Sequence, residues 1–127
     1  MNFFDCTVTG GAEGDLALEA PGLRIPIPQV RAHPLAAYTG RPVTLGIRPE
    51  DIREASEGDL PGACLEAVVE VMEPLGSEVL LNMKVGLNPV VARVPPSTPI
   101  KAGEKVRLAV DLAKIHHFDH DSEQAIF

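Results

Sequence analysis

Hydrophobic and polar residues take turns along much of this chain. In LEAVVEVME (65–73), Leu65, Ala67, Val69 and Val71 fall on one side and Glu66 and Glu70 on the other. In EVLLNMKV (78–85), Val79, Leu81, Met83 and Val85 alternate with Glu78, Asn82 and Lys84. In KVRLAVDL (105–112), Val106, Leu108, Val110 and Leu112 alternate with Lys105, Arg107 and Asp111. A period of two is the repeat of a strand with one face buried, the usual state of an antiparallel sheet. Shorter runs predict further strands over 4–8, 16–18, 23–27, 43–47, 90–94 and 125–127.

Turn residues punctuate these runs. Pro74 and Gly76 sit in EPLGSE (73–78) between two alternating segments. Proline presets φ at the second turn position and glycine accepts positive φ after it, so a hairpin is expected there. VPPSTPIKAGE (94–104) reads as a longer connector. Residues 29–37 are compatible with a helix but contain Pro34. The acidic, Gly/Pro-rich 53–62 segment carries no apolar period. It reads as a link between an N-terminal half (1–52) and a C-terminal half (63–127). Many short antiparallel strands with few or no helices predict an all-β barrel or sandwich.

Composition narrows the function classes. Hydrophobic residues make up 45% of 127, enough for one core and a single domain. A net charge of −7 argues against nucleic acid or an anionic membrane surface as a direct partner. Aromatics that could stack bases are few, with no Trp. Cys6 and Cys64 fit no metal or redox spacing and read as small buried residues in a reducing compartment. The first ten residues lack the features of a secretory signal, and no apolar run is long enough to span a membrane. The expected setting is cytoplasmic.

The sequence contains no phosphate-cradling GxxxxGK[ST], no GxGxxG, no GxSxG and no HExxH. No catalytic, cofactor or metal residue is therefore assigned. The cluster HHFDHD (116–121) offers His116, His117, Asp119, His120 and Asp121 as candidate ligands. Its spacing matches no standard site, and adjacent histidines on a strand point to opposite faces. The simpler expectation is a polar turn after a strand over 105–115, with Phe118 in the core.

LGIRPEDI (45–52) ends a strand abruptly. Val43, Leu45 and Ile47 face one side; Thr44, Gly46 and Arg48 face the other. Gly46 leaves room for another segment to pass over it. Pro49 ends the ladder and suits the first position of a helical turn, whose positive end favours Glu50 and Asp51. Ile52 returns to the core. Arg48 is expected to fork onto a carboxylate or carbonyls, locking the turn together with Glu50.

YTGRPVTLGIRPEDI, followed in order by VEVMEPLGSEVLL and VPPSTPIKAGEKVRLAVDLAKIHHFD, resembles the C-terminal regulatory region of sugar-type ABC transporter ATPase subunits. Within these it resembles the maltose and glycerol-3-phosphate importer group. MNFF resembles the segment that follows the nucleotide-binding domain. The resemblance covers almost the whole chain. It implies a transport-associated OB-like β-barrel (a TOBE domain) in which the two halves share strands. DHDSEQAIF departs from the Thr-Gly turn common near the family's end. The missing ATPase motifs imply a fragment, either an excised domain or a truncated reading frame.

The resemblance further implies a non-catalytic regulatory and dimerisation domain without cofactors, peripheral at the inner membrane within a transporter complex. Its expected partners are a second copy of itself, the nucleotide-binding domain of the parent subunit, and a regulatory protein. The motif residues expected to serve the fold or an interface are Gly46, Arg48, Pro49, Glu50, Glu73, Gly76, Glu78, Phe118 and Asp119. An alternative implied by related molybdate-transport domains is an oxyanion sensor, for which STPIK (97–101) is the candidate segment. Nucleic-acid binding, common for OB folds, ranks last on charge and aromatic content.

Overall fold

A computed structural model describes residues 1–10, 16–27, 34–56, 58 and 64–126. The strands are β1 (Asn2–Gly10), β2 (Leu16–Ala20), β3 (Leu23–Pro26), β4 (Pro42–Ile47), β5 (Ile52–Glu54), β6 (Cys64–Pro74), β7 (Val79–Val85), β8 (Asn88–Val94), β9 (Lys105–Val110) and β10 (His116–Asp119). They form two five-stranded sheets in the orders β10-β4-β1-β2-β3 and β5-β9-β6-β7-β8, and every pairing is antiparallel. In the second sheet β8 comes round against β5 and the turn before it, curling the sheet toward a barrel. Among the described residues the helical pieces are single turns, and no helix is long and apolar enough to cross a membrane.

The alternation sets the inward faces. Phe4, Cys6 and Val8 of β1, Val43, Leu45 and Ile47 of β4, and Leu81, Met83 and Val85 of β7 are all buried. One continuous core draws on both sheets. Each fully buried Leu, Ile or Phe contributes about 1.5–3 kcal/mol, so neither sheet keeps its core intact without the other. Burial also pushes the Cys6 thiol up to about 12, helped by the neighbouring Asp5 charge, so Cys6 is a packing residue and not a thiolate.

β6 breaks the simple pattern. The β6–β7 register slips between Val69 and Val71, with Glu70 as the extra residue of a bulge. Leu65, Ala67 and Val69 point inward as expected, but Val71 is 51% exposed and Met72 takes the inward side. Glu70 faces out toward Lys84.

The end of the chain differs from expectation as well. The strand over 105–115 stops at Val110, and Leu112–Lys114 form a 3-10 turn whose start Asp111 caps by accepting from the Ala113 amide. HHFD is not a polar turn but a strand, β10, paired to β4. Its register sets His117 opposite Leu45 on the inner face and Phe118 opposite Thr44 on the outer one. His117 is therefore the core residue, 1% exposed, and Phe118 is only half-buried. Residues 124–126 fold back along β10: Gln124 O accepts from Asp119 N, and Ile126 N donates to His117 O. The strand expected over 125–127 reduces to one bridge between Ala125 and Phe118; Phe127 lies outside the described residues. So do half of the 53–62 link (57 and 59–62), whose first residues belong to β5, and the first part of the 29–37 segment, including His33; residues 34–36 form a helical turn.

Beyond the shared core, Asn88 Nδ2 donates to Phe3 O at 3.2 Å across the sheets, and two further contacts among the described residues join them. Asn2, 7% exposed, acts as a strand substitute for β8: its amide nitrogen donates to Val91 O at 2.7 Å and its oxygen accepts from Val91 N at 2.7 Å. The second contact is a pair of glycine turns. A Cβ on Gly22 would lie 2.9 Å from the Gly86 nitrogen, and one on Gly86 would lie 2.7 Å from Pro21 O.

Candidate functional site

Alternation across β1, β4 and β10 builds a patch on the outer face of the first sheet. Phe3, Gly46 and His116 stand in one cross-strand row, and Asp5, Thr44 and Phe118 in the next. Gly46 is the hollow in this surface. A Cβ there would lie 2.6 Å from Met1 Sδ and 2.9 Å from Phe118 Cε2, so both side chains rest on the glycine. The Phe118 ring is tilted against Phe3, with centroids 6.3 Å apart, and stacks on His116 at 6.0 Å. Phe3 stays 55% exposed and Met1 46%. Beside them a cleft of about 500 Å³ is lined by Asp5, Thr44, Phe118, Asp119 and His120. His120 Nδ1 lies 3.6 Å from Asp5 Oδ1 and 3.4 Å from Thr44 Oγ1. Both contacts use the same ring nitrogen, so the three groups do not form a proton relay.

Asp119 organises the turn behind this patch. Its Oδ1 accepts from the amides of Ser122 (2.9 Å) and Asp121 (3.0 Å), and its Oδ2 from the Tyr38 hydroxyl (2.8 Å). The Ser122 amide and the Tyr38 hydroxyl bring its carboxyl down to about 2, and the same hydrogen bond pushes the Tyr38 phenol up. Asp119 thus closes the chain end onto Tyr38, a role the sequence did not show.

The LGIRPEDI segment forms the other feature. Pro49–Asp51 make a 3-10 turn with extended residues on either side, and Ile52 is fully buried. Arg48 does not lock this turn. Its carbonyl accepts from Asp51 N at 2.9 Å, but its side chain is exposed and makes no hydrogen bond or ion pair among the described residues, and the Glu50 side chain likewise makes none. The fastening passes instead through Asp51, whose carbonyl accepts from Asp111 N at 3.3 Å and whose carboxylate faces Lys114 at 4.0 Å. Two adjoining clefts, of about 500 and 430 Å³, run between this turn and the Leu112–Lys114 turn.

The other sequence candidates lie apart. Glu73, Gly76 and Glu78 belong to the β6–β7 hairpin, where Leu75 N donates to Glu78 O and Gly76 has φ 84°. Glu73 accepts from Asn82 Nδ2 at 2.8 Å. None of the three lines the clefts described above. In the STPIK segment the Lys101 amide already donates to the Glu104 carboxylate at 3.4 Å. An anion there would have to displace an anion of the chain itself, which argues against this segment as an oxyanion site.

The sequence matches two family descriptions, the MalK OB fold domain over residues 1–52 and the TOBE domain over 45–118. It is 36% identical over 130 residues to the multiple sugar-binding transport ATP-binding protein MsmK of Streptococcus mutans, covering 99% of this chain and 33% of that protein. It is 35% identical over 130 residues to the trehalose/maltose import ATP-binding protein MalK of Thermococcus litoralis, covering 100% and 34%. The sulfoquinovosyl glycerol transport ATP-binding protein SmoE of Agrobacterium fabrum is 34% identical over 126 residues, with 99% and 33% covered. The chain thus spans about a third of the length of these curated relatives. Among solved structures, the cytoplasmic molybdate-binding protein ModG with molybdate bound superposes with a TM-score of 0.71 over 91% of this chain and 94% of that one. At 17% identity this likeness speaks for the fold alone. With its second sheet curled toward a barrel, and with motifs matched in order from residue 1 to residue 118, the chain belongs to the TOBE domain family in the form found in sugar ABC transporter ATP-binding proteins.

Proposed function

We propose that the chain is the non-catalytic regulatory and self-associating module of an ABC importer's ATPase subunit, serving uptake of sugars or related solutes. Residues 1–127 act as one unit in this reading. The nucleotide-binding domain of the same subunit is its covalent neighbour, at the cytoplasmic face of the membrane. Two copies pair through an isologous two-fold contact, holding the two ATPase domains at high effective concentration while they open and close. A regulatory protein that prefers the open pair would stop transport by population shift.

The supporting observation is the patch at Met1, Phe3 and Phe118. Large apolar side chains on an outer sheet face, seated around a glycine hollow, fit a protein contact better than solvent. Gly46, Phe118 and Asp119 serve this surface directly in the proposal. Pro49 shapes the turn next to it, and the Glu73–Glu78 hairpin is a fold element.

Sedimentation velocity on the wild type and on Phe3→Asp tests the reading. The wild type is expected to dimerise with rising concentration, and Phe3→Asp to stay monomeric with an unchanged melting temperature. A wild type that remains monomeric at the highest soluble concentration overturns self-association. A Phe3→Asp variant that dimerises like the wild type removes the patch from it.

A further inference from the structure

The clefts beside LGIRPEDI are not part of the patch, and their charges are layered. Arg48 and Glu50 are exposed, and Lys114 is 64% exposed. The Asp51 side chain, by contrast, is only 10% exposed, and it lines both clefts. Its carboxylate accepts no hydrogen bond from any described residue. Among the described residues its counter-charge is Lys114 Nζ at 4.0 Å, which is divided with Asp111 at 3.9 Å. Its oxygens are not sealed off, and a carboxylate with so narrow an opening ordinarily takes several short hydrogen bonds. Asp51 takes none, and the empty side of it is the groove.

We infer that the groove between the Pro49–Asp51 and Leu112–Lys114 turns is a receptor for an arginine side chain presented by a partner polypeptide. The rim carries charges of both signs, but the group at the floor is acidic, so what reaches past the rim must be cationic. A planar guanidinium can fork onto Asp51 while its remaining donors meet Glu50. Lys114 then withdraws to Asp111, which already holds it at a similar distance. Lys114 is in this sense a placeholder, close enough to neutralise Asp51 and too distant to satisfy it. The rim cation Arg48 can donate to carbonyl oxygens of the same segment. This inference does not depend on self-association, since Asp51 and Lys114 lie outside the Phe3–Phe118 patch.

The test is an NMR titration of the ¹⁵N-labelled protein with N-acetylargininamide, with N-acetylglutaminamide as the uncharged counterpart. The arginine probe is expected to give saturating amide shifts over residues 48–53 and 111–116, and the glutamine probe none. Asp51→Asn should weaken the arginine probe at least fivefold. Lys114→Ala should tighten it at least twofold, because the placeholder is gone. Glu66→Gln, an exposed acid on β6, should change nothing. Shifts spread over the whole acidic surface, an equal loss in Glu66→Gln, or no tightening in Lys114→Ala would each overturn the inference. Should Asp51→Asn fail to fold, Lys114→Ala carries the test alone, since its side chain is mostly solvated.

Discussion

Replacing Asn2 tests how the two sheets are joined. Both of its hydrogen bonds to Val91 are 2.7 Å long, and the side chain is 7% exposed. Asn2→Ala leaves the Val91 N–H and C=O without partners at a half-buried position. Each orphaned group costs about 1–1.5 kcal/mol where some water can reach it, giving about 2–3 kcal/mol in total. For a domain of this size that is a fall in melting temperature of about 6–15 °C. Asn2→Asp separates the two bonds. A carboxylate still accepts from Val91 N but sets an oxygen against Val91 O, so at neutral pH it should cost more than Asn2→Ala. That opposition favours the protonated acid in the folded state and raises the folded pKa. The deficit relative to wild type should therefore shrink as pH falls through that pKa, where an O–H can donate to Val91 O. Urea denaturation of all three proteins between pH 4 and 8 reads both effects from the midpoints. An Asn2→Ala variant within about 0.5 kcal/mol of wild type would refute the strand-substitute account, because ordinary surface changes fall in that range. So would an Asn2→Asp deficit that does not depend on pH.

Two further predictions are independent of that joint. Asp119 has its carboxyl lowered to about 2 in the fold, so it contributes stability above its unfolded pKa and loses it as pH falls from about 4 toward 2. Asp119→Asn should flatten the acid limb of a stability–pH curve in that window, and an unchanged limb would refute the assignment. Gly86→Ala should cost about 2–4 kcal/mol by thermal melting, since φ is 61° and the added Cβ would lie 2.7 Å from a backbone oxygen. A loss below about 0.5 kcal/mol would show that the glycine turns can part without penalty.

How much of this was legible in the sequence depended on the length of each signal. β7 and β9 gave enough alternating residues for their buried faces to be read directly. β6 did as well, up to Val69. A single inserted residue then inverted the pattern, because Glu70 looks like any other exposed acid and nothing local marks it as a bulge. β10 was misread because four residues hold two alternations, and His-His-Phe-Asp is polar enough to pass for a turn. Only its pairing with β4 shows that His117 goes in and Phe118 out. At Gly46 the absence of a side chain on the outward face was itself the signal, and Phe118 and Met1 occupy that space. Arg48 drew attention because it is a large charged residue beside a proline, while the less conspicuous Asp51 carries the contact. Asn2 gave no warning, since the sequence cannot show that a side-chain amide will complete a strand 89 positions away.

The glycine pair at the sheet junction bears on how this module could transmit a signal. Gly22 and Gly86 bring two turns into backbone contact, with no side chains between them to slide or repack. Hinges and shears need a yielding layer, and here that layer is missing at one end while Asn2 fastens the other. A module joined in this way suits a lever arm, with the give of any switch that uses it placed in whatever it is fastened to.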